Sequence, residues 1–144
     1  MSDYLRITAD LEDDGTVGLT GTVSSEGFSG TGEAWFNVSE VRQFVSQLEH
    51  FAKTTENPPE ISGGNWDGKG NLLHKLFSLH FYSFSSFRAG VQVELANHPY
   101  TDCRPEEIAS VKLELKPEAQ AIINFCGQLN ELLSNNISEA SLVC

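Results

Sequence analysis

"GTGEAWFNVSEVRQFVSQLEHF", residues 30 to 51, changes its hydrophobic period partway along. Up to Phe36, the pair Ala34 and Phe36 alternates with Glu33 and Trp35, the period of two that marks a strand. From Val38 the apolar residues Val41, Phe44, Val45, Leu48 and Phe51 recur three and four apart, the stripe of an amphipathic helix. Asn37 or Ser39 can supply the cap, since a short polar side chain there satisfies a first-turn N–H. Pro58 and Pro59 cannot continue the helix, which therefore ends near Lys53. A strand feeding directly into a helix points to a mixed fold.

On the N-terminal side, Leu5, Ile7 and Ala9 alternate with Tyr4, Arg6 and Thr8, and the acidic turn LEDDG follows. Val17, Leu19 and Val23 then alternate with Thr20 and Thr22 up to the turn SSEG. The third run, FSGTGEAWF, holds Gly30 and Gly32, which weaken a strand and suggest an edge, a bulge or close packing.

Beyond the first helix the order recurs. His74 to Phe84 alternates, with Phe77, Leu79 and Phe81 on one face and His74, Leu76, Ser78, His80 and Tyr82 on the other. The turn SSFRAG leads into Val91, Val93 and Leu95, the loop HPYTDCRPEE follows, and SVKLEL is the last expected strand. Pro117 suits the first turn of a helix carrying Ile122, Phe125, Cys126, Leu129, Leu132 and Leu133.

The chain thus reads as a single domain over 1–144, with halves at 4–53 and 74–134, a linker loop at 54–73 and a weakly ordered tail at 135–144. Phe44, Gln47 and Leu48 match Phe125, Gln128 and Leu129 in spacing, which suggests an internal repeat. One apolar face per strand and one stripe per helix predict an α+β fold. The expected architecture is a two-layer sandwich with a mostly antiparallel sheet of about six strands and two helices on one face.

Twenty acidic residues against nine basic ones give a formal charge of −11. Dispersed Lys and Arg on such a surface argue against nucleic acid as partner, because phosphate binding needs clustered cations. A basic protein fits better. Cys103, Cys126 and Cys144 form no CxxC pair, so neither a disulfide framework nor a zinc site is indicated, and a reduced, cytoplasmic setting is expected. No membrane span or secretory leader is expected either.

Local motifs assign no cofactor, no metal and no catalytic residue. "SGGNWDGKGN", residues 62 to 71, has the opening of a phosphate loop, but Gly70 replaces the required Ser or Thr and a strand, not a helix, follows. A calcium frame through Asn65 and Asp67 puts Gly63 and His74 where carboxylates are needed. His50, His74, His80 and His98 lack ligand spacing, and His74 and His80 stand about 20 Å apart along a strand.

The polar sheet face is more informative. Glu33, Trp35, His80, Tyr82, Glu94 and Glu114 fall on it by parity, and aromatics among acids suit recognition of a protein. Trp66, set among small polar residues, is a further candidate contact.

"GTGEAWFNVSEVRQFVSQLEHF", with "LHFYSFSSFRAGVQVEL" and "SVKLELKPEAQAIINFCGQLNELL", resembles bacterial immunity proteins of the WapI kind and related uncharacterised families. The shared pattern spans about residues 20 to 133: a Gly-rich strand ending in aromatics, a helix reading F-x-x-x-L, and a final strand and helix. The resemblance implies a non-catalytic protein that neutralises a cognate toxin domain, often a nuclease. It carries over no functional residue. Two other readings stay open: an interaction or self-associating domain that uses the face in a homodimer instead of as a monomer, and an enzyme whose site is assembled from dispersed residues.

Overall fold

The structure, a computed structural model of the 144-residue chain, describes residues 3–85, 88–97 and 102–144. The tip of the SSFRAG turn and His98 lie outside the described residues. Among the described residues, eight strands and two α-helices follow in order, with one 3-10 turn at Pro105–Glu107: β1 (Tyr4–Leu11), β2 (Thr16–Ser25), β3 (Phe28–Asn37), α1 (Val38–Thr54), β4 (Glu60–Trp66), β5 (Leu72–Ser85), β6 (Arg88–Ala96), β7 (Ser110–Leu115), α2 (Ala119–Leu133) and β8 (Ala140–Val143).

The change of period at Asn37 is where strand becomes helix. Asn37 is the N-cap of α1, and its backbone N–H donates to Glu40 Oε1 at 3.0 Å, a first-turn donor satisfied by an acidic side chain. Pro117 precedes α2 instead of opening it, because the cap is Glu118.

The α+β class is as the sequence predicts, but a single sheet of about six strands is not what forms. Two antiparallel four-stranded sheets are present, β3-β2-β1-β8 and β4-β5-β6-β7. The two extra strands come from segments read as a linker loop and a weakly ordered tail. β4 lies within 54–73 and pairs with β5, and β8 lies within 135–144 and pairs with β1. Gly63 and Gly64 made β4 look like a loop; at Gly64 the register with β5 shifts, and a Cβ there would stand 1.9 Å from the His74 carbonyl oxygen. Glycine is needed at that bulge for close backbone approach. β8 offers only Ala140 and Leu142 as an apolar pair, too short a period to stand out.

The order of elements is the same in both halves. Each half is a three-strand meander and a helix, followed by a strand that joins the other half's sheet beside its first strand. β4 leaves α1 for the second sheet and β8 leaves α2 for the first. The shared order thus includes both segments expected to be irregular.

The sheets do not merge because β3 packs across the second sheet, touching β4, β5, β6 and β7, instead of pairing with it. Gly32 permits the approach: a Cβ there would lie 2.4 Å from the Leu76 carbonyl oxygen and 2.8 Å from the Ala96 nitrogen. One core results. Leu5, Ile7, Val17 and Leu19 from the first sheet meet Phe77, Leu79, Phe81 and Val93 from the second. Phe36 packs edge-on to Phe77 at 5.7 Å, and Phe44 of α1 meets Phe81 at 6.1 Å. The helices pack on each other, with α1 also against β3 and β4 and α2 against β1 and β8.

Candidate functional site

Two sheets have two outward faces, so the residues placed by parity on one polar face are divided. Glu33 and Trp35 stand on the first sheet, whereas His80, Tyr82, Glu94 and Glu114 stand on the second. Trp66 is on neither face centre. It ends β4, is 54% exposed, and abuts the turn to β5.

On the first face, register sets Asp10, Gly18 and Trp35 side by side across β1, β2 and β3. The next row is Thr8, Thr20 and Glu33, and the one after is Arg6, Thr22 and Thr31. Trp35 lies across Gly18: its Cε2 and Cζ2 stand 3.0 Å from where a Cβ at Gly18 would be. An aromatic covering a cross-strand glycine restores packing that the glycine lacks. Thr20 Oγ1 donates to Glu33 Oε2 at 3.0 Å, which orients that carboxylate. Arg6 is engaged, with its guanidinium 4.1 Å from the centre of the Tyr4 ring and Nε 3.8 Å from Glu139.

On the second face, Glu60, His80, Gln92 and Glu114 form one row across all four strands. His80 Nδ1 is 3.3 Å from Glu60 Oε2, and Lys75 Nζ is 3.9 Å from Glu94 Oε2. The Tyr82 hydroxyl donates to Glu114 Oε1. That bond, with the burial and charge beside it, pushes the phenol above its ordinary pKa. The Tyr82 ring covers its register partner Gly90 and touches the rings of His80 and Phe84. A compact aromatic row, His80, Tyr82 and Phe84, therefore runs along β5.

The motif that suggested a phosphate cradle is a strand end and a tight turn. The Asp67 carboxylate accepts from the Lys69 and Asn71 backbone N–H groups at 2.7 and 2.9 Å and from Asn71 Nδ2 at 3.0 Å. These bonds hold its pKa below the ordinary carboxylate value. The side chain is thus used in closing the turn.

Sequence reasoning missed Asp10, Glu60 and Phe84 on these faces. Parity alone would have added Asp10 and Phe84, but Glu60 was hidden with its strand. Among the described residues no three His, Cys, Asp or Glu side chains gather as a metal-binding group. Cys126 is a core thiol on α2, and burial pushes its pKa up to about 12. A hollow of about 700 Å³ between α1 and the start of β4 has His50 and Glu60 as its ionisable lining, and His80, Tyr82 and Glu114 lie outside it. No helix among the described residues is long and apolar enough to cross a membrane.

Comparison with family models, with curated proteins and with solved structures gave no match to this chain.

Proposed function

We propose that the chain is a non-catalytic immunity or inhibitor protein that binds a basic toxin domain, a nuclease being the class its charge suits best, and blocks its substrate surface. The observation that carries this reading is the pairing of a glycine-seated, solvent-facing aromatic with carboxylates on each outward sheet face. Trp35 on Gly18 neighbours Glu33, and Tyr82 on Gly90 is bonded to Glu114. Rigid amphipathic rings lose little entropy on contact and commonly anchor protein interfaces. A net charge of −11 accelerates encounter with a cationic partner and disfavours nucleic acid competing for the same faces.

Co-expression provides the test. The chain should restore growth of cells producing the toxin-like domain encoded directly upstream of its gene, and should co-purify with that domain. Undiminished toxicity with no complex would sink the reading, as would a gene neighbourhood containing no such reading frame.

A further inference from the structure

The two outward faces differ in how their charges are used. Among the described residues of the second face, Glu60 pairs with His80 and Glu94 with Lys75, while Glu114 accepts from the Tyr82 hydroxyl as Glu33 accepts from Thr20. On the first face neither Asp10 nor Glu33 belongs to an ion pair among the described residues, although they stand in the row of Trp35 and the next. Arg6, the cation on that face, stands about 13 Å along β1 from Asp10 and is held by Tyr4 and Glu139. The adjoining β1–β2 turn adds Glu12, Asp13 and Asp14, the last fixed by Thr16 N at 3.1 Å and Thr16 Oγ1 at 2.6 Å.

From this asymmetry we infer that the Trp35 end of the β3-β2-β1-β8 face receives an arginine side chain presented by the basic protein partner. The indole has one side against Gly18 and remains 45% exposed, so it offers a pre-positioned π surface. Asp10 stands in the indole's own row on β1 and Glu33, oriented by Thr20, in the next row on β3, where carboxylates can accept guanidinium N–H donors. A planar guanidinium can stack and donate to carboxylates at once, whereas a lysine ammonium cannot stack in this way. The same face already contains a cation stacked on an aromatic, Arg6 on Tyr4. The inference rests on the toxin-binding reading for the partner being a basic protein, and adds which face it meets and with what side chain.

The probe is an acetylated peptide of nine arginines, titrated into Trp66→Phe protein so that Trp35 is the only indole. Binding should perturb Trp35 fluorescence at low salt and weaken strongly at about 0.5 M salt. A peptide of nine lysines should bind more weakly. Asp10→Asn with Glu33→Gln should reduce affinity for the arginine peptide at least about tenfold while leaving the melting temperature near native. Tyr82→Phe with Glu114→Gln, on the other face, should leave it unchanged.

No fluorescence response, a response indifferent to Asp10→Asn with Glu33→Gln, or one abolished only by the second-face variants would each overturn the site. Neutralisation assays separate the two claims. A toxin inhibited equally well by native protein and by the Asp10→Asn, Glu33→Gln variant would refute this site and leave the toxin-binding reading standing. Peptide binding as expected, with no toxin neutralised, would refute that reading and leave the site standing.

Discussion

Trp35 and Gly18 are register partners on β3 and β2, and the indole rests over the glycine with ring atoms 3.0 Å from the position a Cβ would take. The contact fixes the ring on the sheet. It removes one side of the ring from water and fixes the direction of the other. Gly18→Ala should therefore lift or tilt the indole without unfolding the domain, because the obstructing atoms belong to a side chain at a solvent-facing position. In a Trp66→Phe background, Trp35 fluorescence should shift to the red and quench more readily with iodide, with stability changed by less than about 1 kcal/mol. An unchanged spectrum would mean that the indole does not rest on Gly18 in solution.

Gly32 makes a different kind of contact, and its substitution should behave differently. Its would-be Cβ meets backbone atoms of β5 and β6, the Leu76 carbonyl oxygen at 2.4 Å and the Ala96 nitrogen at 2.8 Å, and no rotamer change can clear them. Gly32→Ala forces the two sheets apart over a close-packed core and should cost about 3 kcal/mol by urea denaturation. Gly68, in the β4–β5 turn, has nothing within 4 Å of its would-be Cβ, so Gly68→Ala should stay within about 0.5 kcal/mol of native. Similar losses at the two positions would contradict the crossing of β3 over the second sheet.

How much of this was legible beforehand depends on what each element advertises. The change of period at Asn37, the alternation from His74 to Phe84 and the stripe from Ile122 to Leu133 announce α1, β5 and α2, because long apolar patterns leave little choice of face. The two exchanged strands were illegible for opposite reasons: β4 holds two glycines where backbone packs closely, and β8 has only two core residues. Without them the meanders look like parts of one sheet. That error placed Glu33 and Trp35 beside His80 and Tyr82, although parity had assigned each correctly within its own strand.

The C-terminal strand gives a direct test of the exchange. Leu142 is fully buried beside Leu5, and the Ser141 N–H donates to Gln128 Oε1 of α2 at 2.8 Å. Leu142→Ala should cost about 2–5 kcal/mol, as for any well-packed core leucine. Val143→Ala, at a position 53% exposed, should be nearly neutral. A weakly ordered tail would tolerate both substitutions equally, so chemical denaturation of the two variants distinguishes the alternatives.

Tyr82 and Glu114 supply a pH signature for the second face. The phenol donates to the Glu114 carboxylate, and ionising it would break that bond and place two negative charges together. Its pKa therefore lies above the ordinary 10.0 in the folded state. Because the folded value is the higher one, the bond's contribution to stability is fully present below the unfolded pKa and is lost as pH rises through the folded one. Ultraviolet difference titration of native protein against Tyr82→Phe should show a tyrosinate absorbance appearing later than in a free tyrosine. Glu114→Gln removes the acceptor's charge and should bring the midpoint back toward 10.0, with no effect on Trp35 fluorescence, since that residue belongs to the other sheet. A native midpoint already at the ordinary value, unmoved by Glu114→Gln, would show that Tyr82 does not hold this bond in solution and would leave its ring seated only by Gly90.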